Sequence, residues 1–286
     1  MQYVFFGTPD FAAVILEKLI EADFIPQAVV CNPDRPVGRK KIVTPPPVKS
    51  FILNHESRSI KVLQPEKLDS SFKSQISSFK SNFFIVAAYS KIIPKEILAI
   101  PKLGSIGVHP SLLPRLRGPT PIQTVILNGE KETGVTLYLM DEKMDHGPVL
   151  AQNMYHVARN TTYLELMEAL AKVGGDLLVE TIPKFLAGEI KPKSQDHERT
   201  TFTKKITIED ALISEEELKS ALAGDKEMAI RIDRMIRALN PEPGSYTFKK
   251  GRRIKLLKSE VQGEKLILKE IQEEGKKPRK VDSFYE

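Results

Sequence analysis

The run NFFIVAA at positions 82–88 carries no polar residue after its asparagine. A strand with one wet face alternates apolar and polar residues, whereas a strand covered on both faces does not need to. The shorter runs at 3–6, 27–31 and 60–63 are mostly apolar as well, with Gln27 and Lys61 the polar members, and the stretches between them differ in period. Phe11, Ile15 and Leu19 recur at helical spacing, with Leu16 beside them. Buried strands alternating with helices imply a parallel sheet covered on both sides. The expected fold class is therefore α/β, a Rossmann-like doubly wound, mostly parallel sheet.

Gly7 closes the first strand, and Thr8-Pro9 predicts a cap residue followed by proline at the first helical position. Further strands are expected at 105–109, 134–140 and 149–156, and a helix at 163–186. Ligands of open parallel sheets bind beyond the carboxyl ends of the strands, and His109 stands at such an end. No G-x-G-x-x-G follows the first strand, so a dinucleotide is not expected.

After position 186 the chain turns polar and charged and reads as a linker. Met228, Ile232, Met235, Ile236 and Leu239 then mark one face of a helix that Asn240-Pro241 ends. The pieces SYTF, RIKLLKSEV and EKLILKEI predict a small antiparallel barrel of OB-like form. The expected division is 1–187, a linker at 188–207, and a C-terminal barrel domain at 208–286.

The 286 residues carry a formal net charge of +6, which suits a polyanionic partner. The single cysteine, Cys31, excludes an intramolecular disulfide framework and reads as a small core residue. The amino terminus shows no basic region followed by a long apolar stretch, and no run reaches about 18 apolar residues. A cytoplasmic, soluble, monomeric protein is expected.

His109 begins HPSLLPRLRG, in which Pro110 and Pro114 stiffen the backbone around Ser-Leu-Leu. Asp145 lies in MDEKMDHGP, past the end of another expected strand. A histidine beside a carboxylate can take up a proton and return it, although a surface histidine and a loop aspartate would look the same in sequence.

These segments, with GPTPIQ after the first, resemble the 10-formyltetrahydrofolate-dependent formyltransferases, whose signature is a histidine followed by S-L-L-P and a later D-x-G. FFGTPDFA, NPDRPVGRKK, PPVK, VAAYSKIIP, ETGVTLYLMD, TFTKKIT and IRALNPEPGSYT extend the resemblance, in order, to the branch of that family acting on methionyl-tRNA. The resemblance implies transfer of a formyl group from 10-formyltetrahydrofolate to the α-amino group of methionine on initiator tRNA, with no metal. It assigns proton shuttling and oxyanion support to His109 and orientation of that ring, favouring its protonated form, to Asp145. It places the folate against Val86, Ala87, Ala88 and Tyr89, the loop from Asp141 to Asp145, and Ser111, Leu112, Leu113 and Pro114, with Arg115 and Arg117 near the substrate. It points tRNA towards Arg35, Arg39, Lys40 and Lys41, which Pro36 and Gly38 place on a loop after the second strand, and towards Arg234 with Arg231, Arg237 and the basic stretch 249–258 on the small domain.

Two positions depart from the family pattern. An asparagine usually precedes the histidine by two residues, where this chain has Gly107, and an aromatic usually stands where Glu242 does. Loss of an oxyanion donor typically costs about 2.7–4 kcal/mol in the transition state. Ser105 is two strand steps from His109, about 13 Å along the strand, too far to substitute. A water in the vacated space is the expected substitute, a donor from elsewhere in the fold or a weakened enzyme the alternatives. A glycine that merely permits close backbone approach fits all three. If the missing amide limits the reaction, Gly107→Asn is expected to raise the rate. An amino-sugar nucleotide as acceptor, or a non-catalytic binding relative, are the competing functions.

Overall fold

The computed structural model describes residues 1–38, 40–55, 60–281 and 284. In chain order the elements begin β1 (Tyr3–Gly7), α1 (Asp10–Glu21), β2 (Ala28–Val30), β3 (Arg35–Val37), β4 (Ile42–Thr44), α2 (Pro47–Asn54) and β5 (Lys61–Leu63). They continue α3 (Ser70–Ser77), β6 (Phe83–Ala87), α4 (Lys95–Leu98), β7 (Ser105–His109), α5 (Pro121–Asn128), β8 (Glu132–Leu139), β9 (Val149–His156) and α6 (Tyr163–Leu186). The rest are α7 (Glu215–Ala223), α8 (Lys226–Leu239), β10 (Tyr246–Lys249), β11 (Arg252–Gln262), β12 (Lys265–Glu273) and β13 (Arg279–Lys280). The chain divides into two compact units, one made of 1–117, 133–155 and 167–202, the other of 118–132, 156–166 and 203–286.

The first unit is built on a seven-stranded sheet of order β5-β2-β1-β6-β7-β8-β9. Pairing is parallel from β5 to β7 and turns antiparallel at β8. Every residue of β1, β6 and β7 is buried, which is why their sequences show so little alternation. Phe6 is ringed by Phe72, Phe84 and Tyr89 on one face, and Tyr3 stacks on Phe83 at 5.3 Å. Each such side chain contributes roughly 1.5–3 kcal/mol by leaving water. On α6, a Cβ at Gly174 would lie 3.2 Å from Val108 and 3.4 Å from Val135, so the missing side chain lets the helix settle on β7 and β8. Cys31 is fully buried and burial pushes its thiol up to about 12, which makes it a core residue without nucleophilic character.

Three local expectations change. Thr8 does not cap α1: Pro9 stands at the cap without a side-chain bond, and the Thr8 hydroxyl accepts the Asn32 N–H instead. The basic stretch after β2, expected as a loop, folds as an exposed antiparallel hairpin of β3 and β4. Residues 188–202, expected within a linker, belong to the first unit, where Lys193 pairs with Val149 and Gln195 is buried.

In the second unit α7 opens with a reciprocal cap between Ser214 and Glu217, and Asp225 accepts the Met228 N–H at the start of α8. Ile232, Met235, Ile236 and Leu239 are buried as the spacing predicts, while Met228 is half-buried. That face packs against α5, α7, β11 and β12. The expected C-terminal antiparallel structure is a four-stranded sheet, β10-β11-β12-β13, whose last short strand the sequence did not reveal. No helix among the described residues is long and apolar enough to cross a membrane.

Candidate active site

His109 ends β7 at the carboxyl edge of the parallel strands and is only 6% exposed. Its Nε2 lies 2.9 Å from the carbonyl oxygen of Leu116. A carbonyl can only accept, so the hydrogen of the neutral ring sits on Nε2 and the lone pair on Nδ1. Nδ1 faces Asp145, 3.6 Å from Oδ2. This is longer than a hydrogen bond, but a proton arriving on Nδ1 finds a carboxylate beside it. The pair can therefore take up a proton and hold it.

The other carboxylate oxygen of Asp145 accepts a 2.8 Å hydrogen bond from the hydroxyl of Tyr138. Tyr138 lies on β8 in register with Gly107 on β7, and its ring covers the place where a side chain on residue 107 would begin. A Cβ there would fall 2.4 Å from Cε1 and 2.5 Å from Cζ of that ring. The expected water in this space is ruled out by the ring, and the expectation that Gly107→Asn raises the rate reverses, because the asparagine would have to displace Tyr138. Close approach is the reason for the glycine, and what approaches is a side chain.

The loop after His109 is braced from two strands. The Thr136 hydroxyl accepts the Leu113 N–H at 3.0 Å and donates to the Ser111 carbonyl at 2.7 Å. Gln152 donates from Nε2 to the Leu113 carbonyl at 2.8 Å and to the Thr136 hydroxyl at 2.9 Å. Ser111 closes the turn by donating to the Arg115 carbonyl. Leu113 is buried, Leu112 and Pro114 are half-buried.

A second loop, carrying Asp141 and Asp145, is bolted by residues whose role the sequence concealed. Gln195 donates to the carbonyls of Asp145 and Gly147 at 3.0 and 2.7 Å, while its own oxygen accepts from Arg117. Arg117 is 3% exposed and also bonds His197, so it stands behind this loop as a brace. Burial draws its guanidinium down, and Asp145 and Asp141 oppose that shift. His197 stacks on His146 at 4.4 Å, and His146 bonds Asp141. Gly147 must be glycine, since a Cβ would lie 1.8 Å from the Leu139 carbonyl oxygen.

Ala88, Leu116 and Asp145 all have left-handed backbones, with φ of +46°, +57° and +50°. For Ala and Leu this conformation costs roughly 1–2 kcal/mol each. Such strain gathered around one edge of a sheet marks that edge as a site. Val86 and Ala87 are buried at the end of β6, Ala88 is exposed, and the buried Tyr89 hydroxyl has no partner among the described residues. The segments 86–89 and 111–114 thus lie at the ends of the neighbouring strands β6 and β7, at the edge where His109 stands.

The basic residues fall into two sets. Arg35, Lys40 and Lys41 are exposed on the β3–β4 hairpin, and Arg39 lies outside the described residues. Arg35 pairs with Glu66 at 2.6 Å. The hairpin is anchored at its base, where Asp34 accepts from Lys49 and Gln64, and the Lys49 bond holds the Asp34 carboxyl below its usual range. On α8, Arg231 pairs with Glu217, Arg237 with the buried Asp233, and Arg234 donates to the Asn128 carbonyl. Glu242 is exposed.

Comparison with known proteins shows what this chain is similar to. A family model described as formyl transferase matches residues 1–182, and one described as formyl transferase, C-terminal domain, matches 226–266. The methionyl-tRNA formyltransferase of Chloroflexus aurantiacus is 42% identical over 263 residues, 91% of this chain and 80% of that protein. That of Enterococcus faecalis is 42% identical over 249 residues, 87% and 75% respectively. Among solved structures, the methionyl-tRNA formyltransferase of Clostridium thermocellum aligns with a TM-score of 0.61 at 18% identity, covering 96% of this chain and 98% of that one. An N-formyltransferase of Helicobacter canadensis, in complex with folinic acid and dTDP-3-aminofucose, aligns with a TM-score of 0.64 at 21% identity, covering 91% and 87%. At such identities the structural matches speak for the fold alone.

Proposed function

The chain belongs to the formyl transferase family, and from that premise we propose that it transfers the formyl group of 10-formyltetrahydrofolate to the α-amino group of methionine esterified to initiator tRNA. The tRNA acceptor is supported by the 42% identity to the Chloroflexus and Enterococcus enzymes. The chemistry is supported by one observation above the others: His109 is buried between a carbonyl that fixes its tautomer and a carboxylate that faces the nitrogen left open for a proton.

The folate, when bound, supplies an activated formyl carbonyl. A new N–C bond forms as the neutral amine attacks that carbonyl, the bond to the folate nitrogen breaks, and the amine proton passes to the folate nitrogen. His109 takes that proton at Nδ1 and gives it back, while Asp145 holds the charged ring in place. The left-handed turn at Ala88, the Tyr89 hydroxyl, Asp141 and the braced loop Ser111, Leu112, Leu113 and Pro114 form the folate side of the site. Arg35, Arg39, Lys40 and Lys41 attract the tRNA backbone, Arg234 and the basic strands of 208–286 form a second tRNA surface, and 1–187 carries catalysis. The enzyme works as a cytoplasmic monomer without a metal.

Purified protein with 10-formyltetrahydrofolate is assayed for tetrahydrofolate release with methionyl-initiator tRNA, with a dTDP-amino sugar, and without acceptor. Release only with the tRNA is expected. Release with the sugar and not the tRNA would contradict the proposal.

A further inference from the structure

We propose that Tyr138 is a positioning residue for formyl transfer: its hydroxyl holds the Asp145 carboxylate in place beside His109, and residue 107 is glycine because the phenol ring lies across it. This rests on the function proposed above, but the observations behind it are independent of the acceptor. Asp145 presents one oxygen to the Tyr138 hydroxyl and the other to His109. A carboxylate bound at one oxygen by a rigid aromatic donor keeps a single rotamer, and the orientation it imposes on the imidazole follows.

The phenol suits this task for three reasons. Tyr138 is only 4% exposed, so its hydroxyl has no bulk water to turn towards. Burial, reinforced by the charge and hydrogen bond of Asp145, raises its ionisation well above the ordinary phenol value, so it remains a donor throughout the range in which an enzyme of this kind works. The register of β7 against β8 also puts it directly opposite Gly107, where any Cβ would fall 2.4 and 2.5 Å from two ring carbons and 2.9 Å from the hydroxyl oxygen. Gly107 and Tyr138 are therefore one device. The glycine supplies room on one strand, and the tyrosine fills it from the next and extends its oxygen to the catalytic carboxylate.

The wild type is first measured with methionyl-initiator tRNA and with a dTDP-amino sugar, and the variants are compared on whichever acceptor it turns over. Tyr138→Phe keeps the ring and removes only the donor. It is expected to lower kcat about 10- to 100-fold, the loss of one hydrogen bond to a charged group, with KM for folate and acceptor unchanged. Gly107→Ala is expected to lower both thermal stability and kcat, by pushing the ring aside. Gly107→Ala combined with Tyr138→Leu relieves the overlap, so stability should recover while kcat stays low. A merely structural role for Tyr138 would instead let kcat recover with stability. Wild-type kcat in Tyr138→Phe, or recovered kcat in the double variant, overturns the proposal whichever acceptor is used. Turnover of the sugar alone overturns the acceptor reading and leaves this comparison intact, and no turnover of either acceptor overturns both.

Discussion

His109 ends β7 in the large sheet and Lys41 lies in the turn of the separate β3–β4 hairpin, and the chain surrounds them differently. Around His109 the polar groups are withdrawn from bulk water and each has more than one neighbour: half-buried Asp145 is bonded by Tyr138 and faces His109, and buried Thr136 is bonded to Leu113, Ser111 and Gln152. On the β3–β4 hairpin every strand residue is exposed, and the ion pair from Arg35 to Glu66 joins side chains that are 61% and 64% exposed. Such a pair is worth about 0–1 kcal/mol. The buried cluster can fix geometry to fractions of an ångström but tolerates no missing partner. The hairpin fixes little and instead offers charge, which acts at a distance and is screened by salt. Under the proposed function, rate belongs to the first region and attraction to the second.

The largest effect that would test this division is expected from Asp145→Asn. It keeps the shape and the bond partners of the loop but removes the charge facing Nδ1, and kcat should fall on the order of 10²- to 10⁴-fold while tRNA affinity holds. Rapid-quench rates beside filter-binding constants read the two separately. A smaller effect is expected from Thr136→Val, which leaves the Leu113 N–H without its acceptor. About 1–3 kcal/mol of stability should be lost, visible as a lowered Tm, with a slower reaction because the loop after His109 loosens. Smallest in rate and largest in salt response is the double change Lys40→Glu and Lys41→Glu. It should raise KM for tRNA at low salt and reduce the steepness with which affinity falls as salt rises, each lost phosphate contact removing about 0.7–0.9 from the log–log slope. If that slope stays unchanged, the hairpin is not a tRNA surface.

The sheet was legible because its strands lack alternation: β7, β9 and α6 have the bounds that the sequence implies, and the other strands of the large sheet shift by a residue or two at their ends. The β3–β4 hairpin was not, because strands of three exposed residues leave no period to read, although the β-branched residues flanking Gly38, which turns with φ +70°, are a faint signal. At the site, His109 and Asp145 were legible as residue types at strand ends. Tyr138 was hidden because its role depends on the register of two strands that meet across the sheet, and Gly107 within an otherwise apolar strand was the trace it left. Gln195 and His197 were hidden by their surroundings. A polar stretch reads as solvent-exposed chain, and here Gln195 is buried as a bolt for the Asp141–Asp145 loop while His197, itself exposed, stacks on His146.

The most direct test of the division between buried chemistry and exposed attraction is the single-turnover rate of formyl transfer by the wild type, measured at saturating methionyl-initiator tRNA across a salt series with the dissociation constant followed on the same samples. The expected result is a dissociation constant that rises steeply with salt and a saturating rate that stays flat, because the His109–Asp145–Tyr138 cluster is shielded from bulk ions. A saturating rate that falls in step with affinity would contradict it, placing the exposed charges within the chemical step.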